Sequence, residues 1–363
     1  MKFSNNTLFY PDNKALENAI EYYQNLLTDD EIMHATNAAN NVTNSVINSA
    51  SIDDKVTVSD NFIYTRGNFE QHRYSANVFT NAREFFEARL SEKFGEQSSL
   101  EPSPLEKSHI EYAKAQNSLG NILSALGQQQ RNIDLFNKAI ECFNQALEVL
   151  SQEDAPIDWA ATQSNLGTAL QALGRQESDS KILSKSIDAY TAALLVYSRK
   201  ETPEQWATVM FQLGATFHTY GCLLKGNRTF QKSVVAYKNA LAELDADNYA
   251  LELAATHNNR GAVLHHLGES EKNPERLAEA IRAYETALTV SMEQQLPIHL
   301  AVLCRVNMAT ARGVLAELTK ESTMAEDAAD EFEIILECFR HSLQPLCLKH
   351  CEEQLNTRQV VSP

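Results

Sequence analysis

The chain has 363 residues, of which 43% are hydrophobic and 22% are charged. Its 12 Gly and 9 Pro are too few for a fibrous or low-complexity protein. The formal net charge is −17 and there is no run of Lys and Arg. This argues against nucleic acid and membrane as partners, because few side chains could replace the counterions of phosphate groups.

The beginning of the chain, MKFSNNTLFYPDN, has no continuous apolar stretch, so we predict no signal peptide. No run of about 18 apolar residues occurs, so no transmembrane helix is predicted. Six Cys in a chain of this length do not indicate the disulfide framework of a small secreted domain. We therefore expect a cytoplasmic protein.

Residues 1–107 are predicted to form a mostly helical region with a capping or effector role. Apolar residues recur at helical spacing in 13–49 and in 76–94. Residues 55–66, KVTVSDNFIYTR, are rich in β-branched and aromatic residues and could be extended. Two interpretations stay open: a helical cap over the first repeat, or a degenerate repeat that contains an insertion.

From about residue 108 the chain repeats with a period of 47 residues. The segment 159–174 reads WAATQSNLGTALQALG, and 112–127 reads YAKAQNSLGNILSALG. The same phrase returns at 206–221 and 253–268. A period in this range indicates a stack of repeated supersecondary units. Each unit carries two glycines: Gly120 and Gly127, Gly167 and Gly174, Gly214 and Gly221, and Gly261 and Gly268.

Each unit is predicted to be a pair of helices. The first glycine lets the second helix pack closely, and the second glycine is placed to end the first helix in a left-handed conformation. The second helix follows as in NKAIECFNQALEVL, 137–150, which is apolar at helical spacing. In the fifth unit the downstream pattern comes one residue late, at Ala328, Phe332 and Ile335, which predicts a one-residue insertion near 320.

An aromatic or large apolar anchor is followed by a Leu-Gly pair, and later by Ala280, Tyr284, Ala287 and Leu288 in the fourth unit. These residues resemble the tetratricopeptide repeat family, in its bacterial-type form with long units. The usual unit has about 34 residues, so units of 47 need longer helices or links.

The resemblance implies an all-α fold. Five helix pairs over 108–342 would stack into an α-solenoid, a right-handed superhelix, because one pair cannot bury its apolar face alone. Residues 343–363 would form a C-terminal capping helix and tail. Within 337–356 we expect a closing helix that is broken near Pro345.

The resemblance also implies that the first helices line a concave groove for a peptide or partner protein. Amide side chains donate and accept at once, so they can hold a peptide backbone, and the arginines could bind a carboxylate. The alternative is a solvated helix face. The groove candidates are Asn117, Asn121, Asn165, Gln171, Phe211, His218, Asn258, Asn259, His265, Arg305 and Arg312.

Two groups of residues raise the question of a metal. His218 and His265 lie one repeat apart and could respond to pH or hold a metal, although a polar groove lining explains them as well. Near the C-terminus, sulfur and imidazole ligands suit zinc, but their spacing is not that of a standard finger, and Cys is a common core residue. We predict no metal and no cofactor; the candidates for the alternative are Cys338, His341, Cys347 and Cys351.

The sequence contains no Gly-rich phosphate loop, no G-x-S-x-G and no H-E-x-x-H motif. We therefore expect no enzyme, but an interaction adaptor or scaffold that binds a protein or peptide. Two alternatives stay open. One is a peptide-responsive regulatory sensor whose effector is residues 1–107. The other is a regulatory subunit of a larger protease or defence complex.

Overall fold

The computed structural model describes residues 107–340, Leu343 and residues 345–359, together with Arg83 and Glu87. The predictions for 1–106 lie outside this part of the chain. Every regular element within it is an α-helix, which confirms the predicted all-α class for the described residues. The helices are α1 (Lys107–Gln130), α2 (Ile133–Val149), α3 (Pro156–Glu177), α4 (Ser180–Ala193), α5 (Pro203–Leu224), α6 (Asn227–Leu241), α7 (Ala250–Glu271), α8 (Pro274–Glu293), α9 (Ile298–Thr319), α10 (Ser322–Phe339) and α11 (Pro345–Gln359).

The described helices belong to two compact units, and the boundary falls within α5, between Val209 and Met210. In the N-terminal unit, α1 packs on α2, α2 on α3 and α3 on α4, and α1 also contacts α3. In the C-terminal unit each helix from α6 to α11 packs on the next, and α9 contacts both α7 and α11. Within each unit, therefore, the first helix of one pair touches the first helix of the next pair.

In each of the first four 47-residue repeats, the first glycine contacts an aromatic ring of the second helix. A Cβ atom built on Gly167 would lie 2.8 Å from the ring of Tyr190, and one on Gly261 would lie 2.7 Å from Tyr284. Both rings are fully buried. The hydroxyl of Ser186 adds a hydrogen bond of 2.7 Å to the Gly167 carbonyl oxygen. The predicted close packing at the first glycine is thus confirmed.

The second glycine does not end its helix, which corrects the prediction. No glycine in the described part of the chain has a positive φ. Instead, the Gly174 carbonyl accepts from the Asp179 N–H at 2.9 Å, and Ser178 takes the left-handed conformation at φ 55°. This is a Schellman motif. The missing Cβ makes room for the next helix, because an added Cβ would lie 2.9 Å from Leu183 Cγ. In the five repeats, the residues that take the left-handed conformation after the first helix are Arg131, Ser178, Lys225, Lys272 and Lys320.

Three of the second helices, α2, α4 and α8, begin at residues whose side chains cap the helix. The Asp179 side chain accepts from the N–H groups of Lys181 and Ile182, and Asn273 does the same for the first turn of α8. Such caps satisfy N–H groups that have no partner within the helix. Proline is the first residue of α3 and of α5, a position where its missing N–H is not needed.

The one-residue insertion in the fifth unit lies before α9 and not near 320. Helices α7 and α9 are offset by 48 residues at both ends (250 to 298, and 271 to 319). The extra residue falls in the preceding link, where Gln295 has a φ of 51°. The sequence match hid this shift because Leu300 and Ala301 are both apolar and buried. Ala309 and Ala316 therefore occupy the places of the two glycines.

The C-terminal helix covers the end of the last pair. Pro345 is the first residue of α11, so the proline starts a new helix. Cys347 and Cys351 are buried against Val302 and Val306 of α9. None of the described helices is both long and apolar enough to cross a lipid bilayer.

Candidate polar walls on the first helices

Each first helix carries four residues that share one face. They stand three and two residues before the first glycine, and one and four residues after it, a spacing that follows the helical repeat. We call the four residues of α1 and the four of α3 the N-terminal wall. The C-terminal wall consists of the four residues of each of α5, α7 and α9, all of which follow Met210. The N-terminal wall is Asn117, Ser118, Asn121, Ser124, Ser164, Asn165, Thr168 and Gln171. The C-terminal wall is Phe211, Gln212, Ala215, His218, Asn258, Asn259, Ala262, His265, Val306, Asn307, Thr310 and Gly313.

Most of the predicted groove residues are buried. Asn121 is 1% exposed, and Gln171 and His265 are fully covered. Asn165, His218, Asn258 and Asn259 are buried as well. Asn117 and Phe211 are half-buried. The interpretation as a solvated helix face therefore does not apply to the seven buried residues.

Asparagine pairs connect the first helices within each unit. Asn165 Nδ2 donates to Asn117 Oδ1 at 3.0 Å, which joins α3 to α1. Asn307 Nδ2 donates to Asn258 Oδ1 at the same distance, which joins α9 to α7. In each pair the two side-chain amides bond to each other, which replaces hydrogen bonds to water that they lose when they are buried. A period of 47 residues puts Val306 at the position that Asn259 holds in α7, so Asn307 is not among the predicted groove residues. The recurrence of Asn two residues before the first glycine, at Asn165 and Asn259, could have revealed the shift.

Several buried polar atoms of the walls have no hydrogen-bond partner. Within the described residues these include both ring nitrogens of His265, the Asn121 Oδ1 and the Ser124 Oγ. A buried group without a partner costs about 1–3 kcal/mol. The walls thus contain hydrogen-bonding capacity that packing between the described helices does not use.

The wall histidines are neutral at pH 7. Burial lowers the pKa of His218 to about 3, and the nearby His266 lowers it further. Burial, followed by His266 and His350, lowers the pKa of His265 to about 3. The His218 and His266 ring centroids lie 6.3 Å apart. Among the described residues, no group of three or more His, Cys, Asp and Glu is arranged to hold a metal ion.

The thiol of Cys222 lies close to the wall histidine His218. Its Sγ lies 3.8 Å from His218 Nε2. Burial raises the pKa of the Cys222 thiol to about 12, while that of His218 is low. The pair therefore stays a neutral thiol and a neutral imidazole, which is not the activated state of a cysteine nucleophile.

Arg305 and Arg312 are engaged with carboxylates of the second helices. Arg305 Nε donates to Glu331 Oε1 of α10, and this hydrogen bond raises the arginine's pKa. Arg312 Nη2 donates to Glu285 Oε1 of α8 at 3.0 Å. Because of the insertion before α9, neither residue stands at a wall position. Binding of an acidic ligand by these arginines stays a prediction, and it would require both ion pairs to open.

The C-terminal cysteines lie in a hydrophobic environment. Cys347 and Cys351 belong to the core between α9, α10 and α11. Burial raises the pKa of both thiols to about 12, so neither is a thiolate at pH 7. Cys338 is exposed, and His341 lies outside the described residues. The structure thus accounts for Cys347 and Cys351 as core residues.

A pocket of about 450 Å³ in the N-terminal unit is lined by residues of α2, α3 and α4, among them Leu166, Leu170, Lys185 and Asp188. None of its lining residues is a wall residue.

Comparison of the chain with models of known protein families and with curated proteins gave no match. The repeat and the geometry of the two walls are the features of this chain that bear on its function.

Proposed function

We propose that this chain is a cytoplasmic, non-enzymatic adaptor of the tetratricopeptide type. Its helix pairs would continue as a right-handed α-solenoid, and its walls would bind a peptide or a partner protein. The observation that supports this most strongly is that the position two residues before the first glycine, or before Ala309 in α9, is an uncharged polar residue in every repeat: Ser118, Asn165, Gln212, Asn259 and Asn307.

Binding is favourable because it satisfies polar groups that are already buried. The Asn121 Oδ1, the Ser124 Oγ and the His265 nitrogens carry the cost of lost hydration without a partner. A ligand backbone offers both N–H donors and C=O acceptors, so it can form hydrogen bonds to these groups whatever side chains the ligand carries. The mechanism is selective binding, in which no covalent bond is made or broken.

The chemistry of the cysteines supports a non-enzymatic role. Burial raises the pKa values of Cys142, Cys222, Cys347 and Cys351 to about 12. A reactive cysteine needs the opposite shift, since the thiolate is the nucleophile.

A pull-down from native lysate tests the proposal with the full-length chain as bait. The wall variant is Gln171→Ala/His265→Ala. The matched control is Asn144→Ala/Gln231→Ala, which removes two exposed amides from second helices. Melting curves of all three baits verify that they are folded. Loss of the main partner by the wall variant alone supports the adaptor. Equal recovery by the wall variant would contradict it, and would favour a function located on residues 1–107 or on the second helices.

A further inference from the structure

The pocket between α2, α3 and α4 combines buried apolar side chains with exposed polar ones. We call it the α2–α4 pocket. Leu166 and Leu170 of α3 are 9% and 8% exposed, whereas Asn144 of α2 and Lys185 and Asp188 of α4 are exposed. The lining residues of each helix follow the helical spacing of three and four positions, so each helix turns one face to the same space. A volume of about 450 Å³ is that of a small-molecule site.

The two charged groups of the pocket have no counter-charge in the described part of the chain. Lys185 and Asp188 stand three residues apart on α4, yet neither takes part in an ion pair with another described residue. A cation and an anion beside an apolar surface are therefore both available to a ligand.

The equivalent positions of the C-terminal unit are joined by an ion pair. Two repeats after Leu166 stands Arg260 of α7, and two repeats after Lys185 stands Glu279 of α8. Arg260 Nη2 donates to Glu279 Oε1. The aliphatic stem of an arginine covers apolar surface while its guanidinium binds a carboxylate. The C-terminal unit thus supplies from its own side chains the cover and the counter-charge that the α2–α4 pocket lacks.

Two more ion pairs occupy equivalent positions between α8, α9 and α10. Arg305 Nε donates to Glu331 Oε1, and Arg312 Nη2 donates to Glu285 Oε1 at 3.0 Å. When the one-residue insertion before α9 is included, these four residues align with residues that line the α2–α4 pocket, in the same order: Gln163, Ala189, Leu170 and Asn144.

The three ion pairs show which chemistry the α2–α4 pocket leaves to a ligand. In the N-terminal unit, no ion pair between described residues joins the aligned positions. A ligand there needs an apolar group to cover Leu166 and Leu170, an anionic group for Lys185 and a cationic group for Asp188. A zwitterion with an apolar body combines all three in one small molecule.

We propose that the α2–α4 pocket binds a small apolar zwitterion, either an α-amino acid with an apolar side chain or a dipeptide of such residues. The carboxylate of the ligand pairs with Lys185, its ammonium group pairs with Asp188, and its apolar part lies against Leu166 and Leu170. The site is separate from the polar walls, so this inference goes beyond the proposed adaptor function and does not depend on it.

The experiment is a saturation-transfer NMR titration of the full-length chain with L-phenylalanine and with the dipeptide Phe-Leu. We expect a Kd of about 1 mM for an open site of this size. Binding of either probe supports the proposal, and the tighter of the two identifies the source of the ligand. Phenylalaninamide lacks the carboxylate and 3-phenylpropionate lacks the ammonium group, so each should bind about threefold to fivefold more weakly than L-phenylalanine.

Two substitutions of exposed side chains test the charges. Lys185→Gln should weaken L-phenylalanine about threefold to fivefold but leave phenylalaninamide unchanged, because that probe has no carboxylate to lose. Asp188→Asn should do the same for L-phenylalanine and leave 3-phenylpropionate unchanged. The matched control is Lys181→Gln, which removes an exposed cation of α4 that does not line the pocket and should leave all affinities as in wild type.

A third variant fills the pocket and keeps both charged residues. Leu170→Arg/Asn144→Glu places at these positions the pair that Arg312 and Glu285 form in the C-terminal unit. It should remove detectable binding of both zwitterions, and a melting curve verifies that it is folded. If this variant does not fold, Lys185→Gln and Asp188→Asn decide the location alone.

Three results would overturn the proposal. They are no binding of either zwitterion to wild type, unchanged binding by the folded pocket-filling variant, and equal affinity of L-phenylalanine and its two singly charged analogues. None of them touches the adaptor function, because the pocket contains no wall residue. The pull-down with Gln171→Ala/His265→Ala tests that function separately.

Discussion

The Tyr190 hydroxyl lies 3.0 Å from Thr168 Oγ1, which joins a second helix to the first helix of the same pair. Tyr284 holds the equivalent place in α8, but Ala262 stands where α3 has Thr168. The Tyr284 hydroxyl is fully buried, and it has no hydrogen-bond partner among the described residues. The same aromatic residue is therefore satisfied in one repeat and unsatisfied in another.

This difference predicts opposite effects of one substitution. Tyr190→Phe removes a buried hydrogen bond and should lower the free energy of unfolding by about 1 kcal/mol. Tyr284→Phe removes a hydroxyl without a partner and should leave stability unchanged or raise it by about 1 kcal/mol. Urea unfolding of the full-length variants measures both. Equal losses at the two sites would show that the Tyr284 hydroxyl has a partner after all.

The left-handed residue after the first helix offers a stabilising change. Lys272 is exposed and has a φ of 51°, a conformation that only glycine adopts without cost. Lys272→Gly should raise the free energy of unfolding by about 0.5–1 kcal/mol. The control is Lys185→Gly on the exposed face of α4, which should cost about 1 kcal/mol. A loss at both positions in thermal melts would contradict the role assigned to Lys272.

Two glycines of first helices should respond to alanine in opposite directions. At Gly167 an added Cβ would lie 2.8 Å from the Tyr190 ring, so Gly167→Ala should destabilise by about 1–3 kcal/mol. At Gly313 of α9 an added Cβ meets no described atom within 4 Å. Gly313→Ala should stabilise by about 0.5–1 kcal/mol through its helix propensity. Melting temperatures measure the pair, and a shift of the same sign in both variants would refute the packing argument.

Buried neutral histidines predict a loss of stability in acid. The pKa of His265 is about 3 in the folded chain, against an ordinary value of 6.5. The unfolded chain therefore binds the proton more tightly, and stability falls as the pH drops below about 6.5 and continues to fall towards 3. Between pH 7 and pH 5 this amounts to about 2 kcal/mol for such a histidine.

The His265→Gln variant isolates this contribution. It keeps a polar side chain of similar size but removes the titrating group, so its free energy of unfolding should fall less between pH 7 and pH 5 than that of wild type. His218 should behave in the same way, since its pKa is also about 3. Urea titrations at several pH values measure the slopes. Identical slopes for wild type and His265→Gln would contradict the prediction, because they would mean that His265 takes up its proton in the folded chain as readily as in the unfolded chain.

The period of 47 residues was sufficient to predict paired helices and close packing of the second helix at the first glycine, where the structure places Tyr190 against Gly167. These features depend on residues close in sequence, and each recurrence of the pattern supports the others. The same pattern misplaced the left-handed residue, because Gly174 and Ser178 both stand near the helix end. Only the position of Leu183 shows that the glycine is needed for close packing between helices.

The amino-acid sequence by itself determined which residues of the first helices α1, α3, α5 and α7 face the same side, and that this side is uncharged, but it assigned Arg305 and Arg312 of α9 to that side. Tertiary structure decided how those residues are used. The bond between Asn165 and Asn117 spans adjacent repeats, and the ion pair of Arg305 with Glu331 joins α9 to α10. The periodicity of a single helix specifies the side on which each side chain lies. Burial and hydrogen-bond partners, in contrast, depend on how helices distant in sequence pack together.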